Sequence, residues 1–78
     1  MNPAIATQVR GIAAEIFDVP VARITTDSGP ENVEGWDSLK HLNLMLALEE
    51  KFGIRFDPED FEHMGNIAQI VALVERKR

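Results

Sequence analysis

Cysteine does not occur in this 78-residue chain. Neither a disulfide nor a thiolate-bound zinc ion can therefore brace the fold, and any thiol chemistry has to arrive on something attached. The absence fits a reducing compartment. Long apolar runs are missing as well: none exceeds five residues, Leu44–Leu48 being one, where a membrane span needs about 20. The opening residues Met1 to Arg10 place no basic flank before an apolar stretch, so no secretory leader is read there. A cytoplasmic chain without membrane insertion is expected. Bases are scarce too, with 8 Lys+Arg against 13 Asp+Glu and a formal charge of −5, which argues against a nucleic-acid binder. At this length a chain makes one small domain with no room for a large enzyme pocket. The expectation is a single monomeric domain over residues 1–78.

The charge that is present is unevenly spread. Between Asp27 and Glu62 stand ten acids and three bases, 3 − 10 = −7, while the remainder is slightly positive. Such a run is ordinarily a solvated surface, and it can also be a docking face for basic partners. Asn2 followed by Pro3 reads as a helix start, and Ile5, Val9, Ile12 and Ile16 recur at helical spacing as far as Phe17. Asp18 to Asp37 is a connection of about twenty residues, kept irregular by Pro20, Gly29 and Pro30. Val19, Val21, Ile24 and Val33 are its candidate anchors, with a single turn around Val21–Ile24. A second helix runs from Asp37-Ser38 to Gly53, which is placed to take the left-handed conformation after a helix end. Asp57-Pro58 opens a short third helix ending near Met64-Gly65. Asn66-Ile67-Ala68-Gln69 has capping-box form, and Ile67, Ile70, Val71 and Val74 make one stripe up to the basic Arg76-Lys77-Arg78 end. The fold class is all-α: a four-helix bundle with a long first loop and a short third helix.

The second helix carries more leucine than one core can use. Leu44, Met45, Leu48 and Phe52 share a direction with His41, whereas Leu39, Leu42 and Leu46 point about 140° away. Unless the long loop covers them, these three form an apolar ridge rimmed by Asn43, Glu49 and Glu50, the pattern of an interaction site. At the helix start, Asp37 as N-cap leaves the Ser38 hydroxyl outward and uncommitted at the positive pole, where a phosphate is electrostatically welcome.

The run Gly35 to Ile54, GWDSLKHLNLMLALEEKFGI, resembles the Asp-Ser-Leu segment and second helix of acyl carrier proteins, and the flanking layout matches over nearly the whole chain. The resemblance implies a four-helix bundle of acyl-carrier type that is not an enzyme. It implies that Ser38 receives a 4'-phosphopantetheine arm from coenzyme A through a separate phosphopantetheinyl transferase, and that the arm carries an acyl group as a thioester. Asp37, Leu39, Leu42, Leu46, Glu49 and Glu50 would then be read by the transferase and by acyl-loading and acyl-transferring enzymes. Fatty-acid members usually have an apolar residue before the glycine and a small one after it. Glu34 and Trp36 stand here instead, which points to a stand-alone carrier in a specialised acyl, lipid or secondary-metabolite pathway.

Other readings compete. Carriers of amino acids and peptides show Gly-Gly-His-Ser or Gly-Gly-Asp-Ser at this place, so an aminoacyl or peptidyl carrier is an alternative. An unmodified helical adaptor could use the leucine ridge alone. Ser38 and His41 are helix neighbours, but Gly-x-Ser-x-Gly is absent and no acid is placed to orient His41 as a base. His41 is read as a packing residue on the core side, His63 as exposed, and Trp36 as cover for the loop. The histidines lack metal-ligand spacing, and Asp57-Pro58-Glu59-Asp60 lacks the glycine and final glutamate of a calcium loop.

Overall fold

Asn2 begins the first helix by accepting the N–H groups of Ala4 and Ile5 on its side-chain oxygen, at 2.9 and 3.3 Å. The computed structural model describes residues 2–78. Three α-helices are present, α1 (Pro3–Phe17), α2 (Ser38–Phe52) and α3 (Ile67–Lys77), with a 3₁₀ turn at Val21–Arg23 and a 3₁₀ helix at Pro58–His63. The expected third helix is thus 3₁₀ and not α. Six residues opened by proline have too few i→i−4 bonds to favour the wider helix, and short pieces commonly tighten this way. Helix α1 ends where Asp18 adopts a left-handed conformation (φ 56°), a role an aspartate tolerates better than most residues. Gly53 does the same after α2, as its position predicts (φ 64°).

Two contacts fix the topology. Lys40, near the start of α2, donates its ammonium to the carbonyl of Ile16 near the end of α1 at 3.3 Å. At the other end the Asn2 backbone N–H donates to Glu75 in the last turns of α3 at 2.6 Å. Helix α1 therefore runs antiparallel to both α2 and α3. Between them Val9, Leu44, Leu48, Ile67, Ile70, Val71 and Val74 are fully buried, with Ile24 from the loop and Met64 from the link before α3.

The stripe expected on α1 is partly displaced. Ile5 and Val9 are buried, but Ile12 and Ile16 are only half-buried, and Ala13, Ala14 and Phe17 take the core positions. Alanine allows close backbone approach, which turns the contact face. Ile12 and Ile16 instead line an open groove of about 540 Å³ between α1 and α2, to which Ser38 does not contribute. Leu73 joins the expected stripe of α3.

Of the loop anchors, Ile24 and Val33 are buried, Val19 is half-buried, and Val21 is 49 % exposed. Polar bonds do the rest of the pinning. Arg10 donates to the carbonyls of Ile24 (2.6 Å) and Val21 (3.2 Å), while Ile67 and Ala68 at the start of α3 donate to Ser28 and Thr26 at 2.9 Å each. At Gly29 an added Cβ would run into the Gly65 carbonyl oxygen, so the loop crosses the link before α3 where only glycine leaves room. The capping box at α3 is shifted by one residue: Asn66 accepts the Gln69 N–H at 2.9 Å, and Gln69 accepts from Gly65, not from Asn66.

Candidate functional site

The start of α2 is built by three consecutive residues with separate tasks. Gly35 adopts φ 87°, a conformation costly for side-chain-bearing residues, and the chain turns there so that Trp36 can enter the interior. Asp37 is the N-cap, its Oδ1 accepting the Lys40 N–H at 2.9 Å. Ser38 follows as the first helical residue and is exposed; its hydroxyl has no hydrogen-bond partner among the described residues. The backbone N–H groups of Ser38 and Leu39 have no protein acceptor either, as expected in the first turn of a helix. The site is therefore a free hydroxyl beside free donors at the positive pole of a 15-residue helix.

Beneath it lies an aromatic column. The Phe17 and Trp36 rings stack with centroids 4.6 Å apart, Trp36 and His41 stand 6.1 Å apart, and His41 and Phe61 stand 4.5 Å apart. Trp36 and His41 are each 5 % exposed. The Trp36 indole N–H donates to His41 Nδ1 at 3.0 Å. Indole nitrogen can only donate, so Nδ1 is the bare nitrogen and the neutral ring carries its proton on Nε2. Burial pushes the His41 pKa below its ordinary value, which keeps the ring neutral. Nε2 is buried and has no partner; an unsatisfied donor of this kind costs about 1–3 kcal/mol. Pro30, Trp36, Asp37, Ser38, His41 and Phe61 together line an open cleft of about 280 Å³.

The ridge is uncovered. Leu39, Leu42 and Leu46 are 67, 48 and 55 % exposed, so the long loop does not reach them. Asn43 and Glu50 are exposed beside them. Glu49 is half-buried and partly committed, accepting the Phe56 N–H at 2.8 Å. His41 sits on the core side and His63 is exposed, both as read from the sequence. Among the described residues no group of three or more His, Asp or Glu is placed to hold a metal, and no helix is long and apolar enough to cross a membrane.

Sequence reading missed Phe61 and Pro30 as cleft walls, and missed the Trp36–His41 bond. No periodicity joins those positions; the usable signal was a lone tryptophan five residues before a core-facing histidine.

A family model described as a phosphopantetheine attachment site matches residues 7–74. An acyl carrier protein of Helicobacter pylori (strain G27) is 32% identical over 72 residues, covering 92% of each chain. The chain belongs to the acyl carrier protein family. Acyl carrier protein 3 of Ralstonia nicotianae is 28% identical over 74 residues, covering 95% of this chain and 85% of that one. The solution structure of a holo acyl carrier protein from Geobacter metallireducens superposes with a TM-score of 0.83 at 26% identity, covering 92% of this chain and 83% of the other. This carrier is accordingly not an enzyme, and its prosthetic group is covalently bound 4'-phosphopantetheine. The residues present suit that group: an unengaged hydroxyl and unpaired helix N–H groups adjoin a cleft that His41 also lines, its buried Nε2 lacking a partner among the described residues.

Proposed function

We propose that Ser38 is the attachment point, and that residues 1–78 act as one cytoplasmic carrier domain presenting an acyl thioester to partner enzymes. The observation that supports this reading is the exposed, unbonded Ser38 hydroxyl at the first position of α2. When bound, the arm's terminal thiol supplies the sulfur that a chain without cysteine lacks. In loading, Ser38 Oγ gives up its proton, forms a bond to the phosphorus that bears pantetheine in coenzyme A, and displaces adenosine 3',5'-bisphosphate. No base within the carrier is required, because the phosphopantetheinyl transferase provides it.

Partner enzymes read the outer side of α2: Leu39, Leu42 and Leu46 as the apolar contact, Asp37 and Glu50 as the charged rim, and Glu49 through whatever its bond to Phe56 leaves free. A ridge of this size with an acidic edge gives fast, salt-sensitive docking and ready release, which suits a carrier visited by several enzymes. Glu34 and Trp36, flanking Gly35, support a specialised pathway over general fatty-acid synthesis. Loading of the holo form by a fatty-acid malonyl transferase as fast as that enzyme's own carrier would defeat the pathway assignment.

The attachment is tested by incubating the chain with coenzyme A and a broad-specificity phosphopantetheinyl transferase and weighing it intact. The wild type gains one arm and Ser38→Ala gains none. A wild type that stays bare, or a Ser38→Ala chain that is modified, refutes the assignment.

A further inference from the structure

The cleft at Ser38 holds one feature that thiol carriage does not require: a buried imidazole N–H with nothing to donate to. Ser38 and His41 lie three residues apart on α2 and share a face, with Cβ atoms about 5–6 Å apart. Helical side chains lean toward the N-terminus, so the His41 ring lies back toward the turn that carries Ser38. Both residues line the same cleft. Its one carboxylate, Asp37, has the sign of a phosphodiester. The nearest ammonium, on Lys40, is turned away to the Ile16 carbonyl. The donors left for an anion bonded to Ser38 are the first N–H groups of α2 and His41 Nε2–H.

We infer that His41 is a positioning residue for the arm: its Nε2–H donates to a phosphate oxygen of the phosphopantetheine on Ser38, while Trp36 holds Nδ1 and so fixes the donor on the correct nitrogen. The inference rests on Ser38 being the attachment point. Phe61 is the cover that must yield. Its ring lies 4.5 Å from the imidazole and is 48 % exposed, so on this inference rotation of that side chain is what would open Nε2 to the phosphate. The apo chain then carries an unmet donor that the holo chain satisfies, and the root of the arm is oriented while its far end swings.

The test compares apo and holo protein labelled with ¹⁵N, following the His41 imidazole and the arm's ³¹P resonance. On conversion to holo, the Nε2 proton should move downfield and exchange with water roughly tenfold or more slowly. The ³¹P shift should change in His41→Phe and return toward wild type in His41→Gln, which restores both an acceptor for Trp36 and a donor. Identical imidazole signals in apo and holo wild type overturn the inference. The wild-type comparison stands even if a variant fails to fold. Intact mass separates the two failures: an arm on Ser38 with an unchanged imidazole sinks the His41 role alone, and a bare Ser38 sinks the attachment.

Discussion

At His41 the imidazole is buried, uncharged and committed through Nδ1 to the Trp36 indole, so acid acts on it from two directions. Protonation would put charge into a desolvated site and replace the acceptor of the indole N–H with a second donor. The folded pKa lies below the unfolded value of about 6.5. Its contribution to stability is therefore whole above that unfolded value and is lost as pH falls through the folded one. The urea midpoint of the apo chain should fall between pH 7 and pH 5, and His41→Gln should flatten that fall. A wild-type midpoint constant over the interval would show that the ring does not titrate on unfolding. Asp60 does not blur the window: its hydrogen bond from Lys77 holds its carboxyl below the usual range, so it stays ionised there.

Among the elements, the 3₁₀ helix at Pro58–His63 is held differently from the α-helices. Lys77 of α3 pairs with Asp60 at 2.8 Å and Asp57 at 3.4 Å, and Asp60 accepts the Asp57 N–H at 2.7 Å. The bond to Asp60 raises the Lys77 pKa. Asp60→Asn should therefore quicken amide exchange over residues 58–63 several-fold, while α1, α2 and α3 keep their protection. Equal loss across all helices would mean that the link supports the whole core. This tie was illegible in the sequence, where Arg76-Lys77-Arg78 read only as a complement to a helix pole. The starts of the three α-helices were legible to the residue, because Asn2, Asp37 and Asn66 each cap and each precede an apolar period. Ser38 stood out through the resemblance of its Asp-Ser-Leu segment to acyl carrier proteins, and its outward orientation followed locally from its cap neighbour. What could not be read was long-range: the turned face of α1, which depends on where α2 and α3 press, and the aromatic column, whose four rings come from three separate elements and the loop.

For the molecule as a whole, the leucines of α2 divide between two energetic regimes. Leu48 is fully buried, and Leu48→Ala should destabilise by about 2–5 kcal/mol in urea unfolding. Leu42 is half exposed; Leu42→Ala should change stability by no more than about 0.5 kcal/mol yet slow acyl transfer by partner enzymes. A Leu42→Ala chain that serves its partners at the wild-type rate would remove the ridge from the docking surface. The Asn2–Glu75 bond gives the architecture a practical corollary. Asn2 and Glu75 lie together at the pole of α1 opposite Ser38, about 20 Å away along that helix. A bead or a surface tethered beside either residue would hold the carrier by its foot and leave Ser38 facing the solution.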